Sequence, residues 1–218
     1  MTDPARRLGR RALLTLGMAG GAGWALGRVL SRSAPVGRDV QASGAVAAIL
    51  DDPEAPAIGR ADASLRLAVF SDYRCPACRH GFPALTEAVA KDGDVRLLYK
   101  DWPIFGDASV QAARVALASA TQGIYPKVHR RLMTTPGALD TAQLRAAVEA
   151  SGGDWPRLLA DLTTEGERID GQLRRHAAEA ASIALPGTPG YLAGSLLAVG
   201  VIDAAAFARL FAAARSAA

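Results

Sequence analysis

The pattern of hydrophobic and polar positions after residue 64 predicts a strand, a helix and a second strand. Residues 65–70 and 95–99 are short apolar runs bounded by turn residues, which is typical of buried strands. Between them, residues 82–90 have Leu85 and Val89 four positions apart, which indicates one face of a helix. We therefore expect a right-handed β-α-β unit with parallel strands.

The next 80 residues or so, from about 103 to 185, show helical spacing and no strand pattern. Five helices are predicted there; their first turns are marked by Asp107, Tyr125, Asp140 or Thr141, Asp154 and Ile169. Strands return at 191–193 and 196–199, joined as a hairpin by Gly194-Ser195, and Asp203 begins a last helix. The order predicts an α/β fold in which an all-helical insertion separates β-α-β and β-β-α halves.

The first 38 residues differ from the rest and predict an export signal or an N-terminal membrane anchor. Arginines precede an uncharged stretch at 12–27, and Arg10-Arg11 resembles a twin-arginine signal. This stretch is longer than a usual signal core and shorter than a full membrane span, so cleavage and retention both remain open. Residues 39–64 are predicted to be a linker with one short helix at 46–50.

Composition and charge argue against two classes of protein, disulfide-rich scaffolds and nucleic-acid binders. Half of the 218 residues are apolar, which is enough for a core, and two cysteines exclude a scaffold stapled by several disulfides. The net charge of +4 comes from the leader, which holds seven arginines and one acid. The rest has 18 basic and 20 acidic residues, a net charge of about −2. A nucleic-acid binder would carry its positive charge on the folded domain, so no nucleic-acid partner is expected.

Candidate chemistry lies in Cys75-Pro76-Ala77-Cys78, where the first strand ends and the next helix begins. A sulfur at a helix N-terminus faces unpaired N–H groups and the positive end of the helix dipole, which favour thiolate over thiol. Pro76 suits the first turn, where no N–H partner is lost. We expect Cys75, at the exposed tip, to be the attacking thiol and Cys78, one turn inward, to be the resolving thiol.

Other uses of the two cysteines fit less well. A zinc site needs four ligands, and the spare nitrogen donors are limited to His80, His129 and His176. Covalent haem attachment needs a histidine directly after Cys78, where Arg79 stands. A purely structural bridge over so short a loop would constrain the unfolded chain little. Thiol–disulfide exchange is therefore the expected chemistry, with no metal or organic cofactor.

A second motif lies about 110 residues downstream. Gly187-Thr188-Pro189-Gly190 precedes the hairpin, and a proline there is a candidate for a cis peptide bond. With the elements described above, the chain resembles the DsbA-like thiol–disulfide oxidoreductases of the thioredoxin superfamily, and in particular their ScsC-like bacterial members. The stretches that resemble them are AILDDPEAP at 48–56, FSDYRCPAC at 70–78, YKDWPI at 99–104 and GTP at 187–189.

The resemblance implies a thioredoxin fold over about residues 65–216 and an active-site loop opposite the cysteines. It implies that Pro189 holds the extended backbone of a substrate and that Thr188 packs against the Cys75 sulfur. Two departures stand out: Ala77 replaces the histidine of prototype oxidases, and Val69 replaces a buried carboxylate. Asp72 or Lys100 are the candidates to replace that carboxylate.

The sequence thus predicts a periplasmic oxidoreductase, secreted or tethered to the inner membrane. It would exchange disulfides with exported, cysteine-containing proteins, as an oxidase first and as an isomerase or reductase second. A membrane redox partner would recycle the cysteine pair. The alternative of another class is a non-catalytic module that binds peptide or Cu(I).

Overall fold

In the computed structural model, which describes residues 36–217, six strands form one mixed sheet. They are β1 (Arg38–Asp39), β2 (Ala57–Ile58), β3 (Leu65–Ser71), β4 (Val95–Asp101), β5 (Gly190–Ala193) and β6 (Leu196–Val199). Their order across the sheet is β1-β6-β5-β3-β4-β2, with β3 and β4 parallel and every other pair antiparallel. The parallel pair and the hairpin of β5 and β6 confirm the prediction.

Eight α-helices lie within the described residues. They are α1 (Val46–Leu50), α2 (Pro76–Asp92), α3 (Asp107–Ala118), α4 (Tyr125–Thr134), α5 (Thr141–Glu149), α6 (Trp155–Thr164), α7 (Gly166–Ser182) and α8 (Ala204–Ser216). Helices α3 to α7 form the predicted insertion between β4 and β5. Asp140, Asp154 and Asp203 cap three helices as expected, because each carboxylate accepts a hydrogen bond from a backbone N–H three residues later.

One helix start agrees with the prediction and one differs from it. Helix α2 begins at Pro76, as the placement of the cysteine motif predicts, and the Cys75 side chain caps it; the apolar periodicity begins only at residue 82. Asp107 is the first residue of α3 and does not cap it; the cap position is Gly106, at a φ of 83°. A left-handed conformation of this kind favours glycine.

The predicted linker at 39–64 is wrong as a description of the structure, since this segment is part of the folded unit. Strand β1 extends the sheet beside β6, and β2 extends it beside β4. The predicted short helix α1 is confirmed and buries Val46, Ile49 and Leu50 against the sheet. Strands of two residues carry too little periodicity to be recognised in a sequence.

The sheet separates two apolar layers. One layer holds α2, α8 and most of the insertion against the side of β3 that carries Leu67 and Val69. The other holds α1 and the end of α7 against Ala68 and Phe70. Because neighbouring strand residues point to opposite faces, each layer receives alternate residues of β3 and β4.

The leader lies outside the described residues, so the predicted export signal or anchor and the apolar stretch at 12–27 receive no structural description. Within residues 36–217, no helix combines the length and the apolar character needed to cross a membrane.

We predict that His176 makes the stability of the domain depend on pH. His176 is fully buried on α7, its Nδ1 bonds to the Asp101 carbonyl, and burial lowers its pKa to about 4. The unfolded chain takes up a proton below about pH 6.5, whereas the folded chain does not, so stability falls as the pH drops. From about pH 7 to pH 5 this costs about 2 kcal/mol. The free energy of unfolding of His176→Gln, measured with urea at the two pH values, should therefore fall by about 2 kcal/mol less than that of the wild type.

The control is His80→Gln, because His80 is exposed on α2. This variant should keep the pH dependence of the wild type. An unchanged pH dependence in His176→Gln would contradict the assignment.

Candidate active site

The Cys75 sulfur occupies the N-terminus of α2. Cys75 is the cap residue, with an extended backbone, and its Sγ accepts a hydrogen bond from the Cys78 N–H at 3.4 Å. Its own N–H donates to the Asp72 carbonyl at 3.2 Å, which fixes the turn between β3 and the helix. Pro76 is the first helical residue and Ala77 follows it, half-buried. The predicted placement of this motif at the start of a helix is confirmed.

Both thiols are free and both are buried, with 2% of Cys75 and 3% of Cys78 exposed. The expectation that Cys75 sits at an exposed tip is therefore wrong. The reason is tertiary: the carbonyl of Thr188 lies 3.4 Å from the Cys75 sulfur, which donates a hydrogen bond to it. The loop before β5 thus covers the end of the helix.

The Cys78 thiol is held in its protonated form. Burial is the main reason that its pKa is raised to about 12, and the neighbouring Cys75 sulfur adds to the rise. At neutral pH Cys78 therefore remains a thiol and is a poor nucleophile until its proton is removed.

The loop opposite the cysteines contains the predicted cis peptide bond, between Thr188 and Pro189. Antiparallel pairing places Gly190 beside Phe70 and Tyr191 beside Val69, so Pro189 stands at the end of the sheet where α2 begins. The Pro189 carbonyl accepts from the Gly200 N–H at 2.9 Å, which ties the loop to the chain after β6.

Residues 66–212 match the family model of the DSBA-like thioredoxin domain, which includes both the cysteines and the Thr188–Pro189 loop. The chain belongs to the DSBA-like thioredoxin domain family. The expected thioredoxin fold with a helical insertion is thereby confirmed, and such a fold supports thiol–disulfide exchange.

Solved structures agree with this assignment. A thioredoxin-like oxidoreductase from Silicibacter pomeroyi DSS-3 is 30% identical, with a TM-score of 0.75, covering 79% of this chain and 98% of that one. A periplasmic thioredoxin-like protein from Salmonella enterica serovar Typhimurium is 26% identical, with a TM-score of 0.68 and coverage of 78% and 95%. The catalytic domain of Proteus mirabilis ScsC, at 24% identity, shares the fold with a TM-score of 0.72 and coverage of 82% and 99%.

The curated relatives are longer proteins. One is Na(+)/H(+) antiporter NhaA 1 of Mycolicibacterium gilvum (strain PYR-GCK), which is 28% identical over 98% of this chain and 35% of its own length. The chain therefore spans between about a quarter and about a third of the length of the curated relatives that it matches.

Neither residue predicted to replace the missing carboxylate of this DSBA-like domain does so. Asp72 accepts four hydrogen bonds: from the N–H groups of Arg74, Ile104 and Phe105 and from the Ser109 hydroxyl, at 2.7 to 3.1 Å. These donors fix the carboxylate as an anchor between the active-site turn and the start of the insertion.

Lys100 lies on the other face of the sheet from the cysteines. Its Nζ bonds to Asp52 at 2.6 Å and to Glu179 at 3.1 Å, in the layer formed by α1 and α7. Position 100 and its neighbour Asp101 point to opposite faces because they are adjacent on β4. The expectation that Lys100 replaces the carboxylate is therefore wrong.

A buried polar network on the cysteine side escaped the sequence prediction. The Tyr73 hydroxyl lies 2.8 Å from His129 Nδ1 and 3.4 Å from the Tyr125 hydroxyl, which donates to Asp101 Oδ2 at 2.9 Å. The four-residue spacing of Tyr125 and His129 on α4 was the available signal, since it places both on one helix face. Asp101 and Tyr73 join them only through folding.

The same region contains a small cavity with about 10 Å³ for the centre of a water molecule. Cys78, Pro189 and Tyr191 line one part of it, and His129, Met133 and Phe82 line another. The cavity therefore lies between the Cys78 thiol and the edge of the polar network.

Three potential metal ligands meet elsewhere in the described residues. Atoms of Asp52, His176 and Glu179 lie within 4.8 Å of one another. The Lys100 ammonium already lies between the two carboxylates, 2.6 Å from Asp52 and 2.9 Å from Glu179. This group therefore acts as a buried ion-pair cluster and does not favour a second cation.

Proposed function

We propose that this domain is an exported thiol–disulfide oxidoreductase that exchanges disulfides with other exported proteins through Cys75 and Cys78. The observation that carries the proposal is the position of the Cys75 sulfur between two elements. It accepts a hydrogen bond from the start of α2 and meets the loop that contains the cis Thr188–Pro189 bond.

The two thiols have different roles in this mechanism. Cys75 exchanges with the substrate, because the N–H groups at the start of α2 stabilise negative charge on its sulfur. Cys78 stays protonated in the resting site and forms or releases the internal disulfide. The exchange requires no cofactor beyond the cysteine pair itself.

Apolar side chains flank the site on two sides and offer a surface for unfolded substrates. Ile104 and Phe105 are exposed next to the active-site turn, where the Arg74 guanidinium bonds to the Phe105 carbonyl. Val199 and Val201 are exposed on either side of Gly200, which bonds to Pro189. Substrate backbone would lie along the Thr188–Pro189 loop between these two patches.

We predict that Cys78→Ala traps substrates and Cys75→Ala does not. Without Cys78, a mixed disulfide between Cys75 and a substrate has no internal thiol to release it, so reductant-sensitive adducts should accumulate. Electrophoresis of the two variants with and without reductant, after incubation with reduced ribonuclease, measures the difference.

The double variant, with both cysteines replaced by alanine, is the control and should form no adduct. Adducts that form only in Cys75→Ala would reverse the two roles. If neither single variant forms adducts and reduced ribonuclease gains no disulfides with the wild type, the domain is a non-catalytic binding module.

We propose oxidation as the direction of exchange, since the helical insertion is of the kind found in oxidases of the family. Ala77 and Thr188 favour the second candidate, an isomerase or reductase. Equilibration with glutathione measures the reduction potential and decides between them. A value near about −120 mV is expected for a dedicated oxidase, and a value near about −270 mV would contradict that direction in favour of a reductase.

We also propose that the domain works in the periplasm, where a membrane redox partner recycles the cysteine pair. The support comes from the arginines before the apolar stretch at 12–27. A reporter that is active only in an oxidising compartment, fused after Ala218, should be active in cells. Replacing Arg10-Arg11 with lysines tests the twin-arginine route, and a reporter active only in the cytosol would contradict export.

A further inference from the structure

Asp101 differs from the other buried carboxylate near the cysteines. Asp72 is saturated by four donors. Among the described residues, Asp101 accepts one hydrogen bond, at Oδ2, and its buried Oδ1 has no partner. Asp101 is fully buried at the end of β4. Burial raises its pKa to about 7, and the charge of Asp72 adds to the rise, although the Tyr125 and Tyr73 hydroxyls oppose it. Asp101 can therefore take up and release a proton near neutral pH.

A continuous series of hydrogen bonds links Asp101 to the cavity beside Cys78. With the proton on His129 Nδ1, that nitrogen donates to Tyr73 at 2.8 Å, Tyr73 donates to Tyr125 at 3.4 Å, and Tyr125 donates to Asp101 at 2.9 Å. All three bonds then point the same way. The other ring nitrogen, Nε2, is left to accept a proton from the cavity that His129 lines.

The cavity has the properties of a site for one water molecule. Its volume is close to the minimum for a single water, and a buried water needs two to four polar partners. Cys78 and His129 both line it, as does Ser71, whose buried hydroxyl has no partner among the described residues. One water there would bridge the thiol to the histidine ring.

We propose that Asp101 is the proton acceptor for Cys78, reached through the cavity water, His129, Tyr73 and Tyr125. The proposal rests on the proposed function, since it assigns a proton route to the exchange reaction. The resemblance would place such a carboxylate on β3, at the position of Val69. Asp101 lies instead on the neighbouring strand β4, three positions after Leu98.

In the reducing direction the step begins at Cys78. The Cys78 thiol gives its proton to the water, each group of the series passes one proton onward, and Asp101 becomes a neutral carboxyl. The Cys78 thiolate attacks the Cys75 sulfur, the Cys75–Cys78 bond forms, and the bond to the substrate breaks. The electron pair leaves on the substrate sulfur. In the oxidising direction the same route returns the proton from Asp101 to Cys78 as Cys78 departs.

The titratable groups around Asp101 do not compete for this role. The titratable side chains that face Asp101 or the hydrogen-bonded series are Tyr73, Tyr99, Tyr125, His129 and Asp72. From the other face of the sheet, His176 contacts the Asp101 backbone carbonyl. The charge of Arg130 lowers the pKa of Tyr99. Burial raises the pKa of each tyrosine, and it lowers the pKa of His129 to about 3. At neutral pH the three tyrosines and His129 are uncharged, so Tyr73, Tyr125 and His129 can relay a proton without holding a charge, while Asp72 is held by its own four donors.

The test separates the two exchange steps with one equivalent of dithionitrobenzoate, an aromatic disulfide whose thiolate is coloured. In the reduced wild type, attack by Cys75 releases the first thiolate and attack by Cys78 releases the second. We expect the rate of the second phase to rise with pH through about 7 and then level off, as Asp101 loses its proton. Asp101→Asn should slow that phase about a hundred-fold at about pH 8 and abolish the levelling near 7. The first phase should keep its rate.

Tyr125→Phe is the second variant, because it keeps the ring and removes the hydroxyl that donates to Asp101. It should slow the second phase as Asp101→Asn does, and it gives the answer should Asp101→Asn fail to fold. Glu179→Gln is the matched control, since Glu179 is also a carboxyl whose pKa burial raises, but it lies on the other face of the sheet. Its two phases and their pH profile should equal those of the wild type.

The outcomes distinguish the relay from the exchange function. Second phases of wild-type rate and pH profile in Tyr125→Phe and in folded Asp101→Asn would overturn the relay and leave the proposed function standing. A slower second phase that still levels near pH 7 would also overturn it, because a structural effect alone explains such a result. If the wild type shows no first phase, the proposed function fails and the relay fails with it.

Discussion

The antiparallel register between β3 and β5 is the constraint on which the candidate site depends. Pairing of Phe70 with Gly190 sets Pro189 at the end of the sheet from which α2 departs. The Thr188 carbonyl then meets the Cys75 sulfur, although the two residues are 113 positions apart in the chain. A shift of one residue would turn the alternate side chains of β5 to the wrong layer, so the buried apolar residues on both faces hold the register in place.

This register also explains why both cysteines are buried. A helix N-terminus at the end of a strand would be open to solvent if nothing covered it, and the loop before β5 covers it here. The two buried thiols have different surroundings. Cys75 keeps hydrogen bonds from α2 and to Thr188, whereas burial raises the pKa of Cys78 to about 12. The difference on which the proposed exchanging and resolving roles rest thus arises from position alone.

Strand β4 ends in two adjacent charged residues that the sheet separates. Lys100 enters the layer of α1 and α7 and is neutralised by Asp52 and Glu179. Asp101 enters the cysteine layer, where its nearest polar neighbours are the hydroxyls of Tyr125 and Tyr73. A paired charge of the first kind contributes to structure, because removing one partner leaves the other uncompensated. An unpaired carboxyl of the second kind can exchange a proton near neutral pH, which is the property that the proposed relay uses.

The sequence by itself determined the order of elements, the helix caps at Asp140, Asp154 and Asp203, and the placement of the two cysteines at a helix start. These features are local, since they depend on periodicity and on residues within one turn of each other. Tertiary structure decided the two edge strands, the burial of Cys75 and the hydrogen bond from Tyr125 to Asp101. Each of these depends on contacts between distant parts of the chain. The sequence around a two-residue strand or a buried carboxyl contains no local pattern that indicates which residue it will contact.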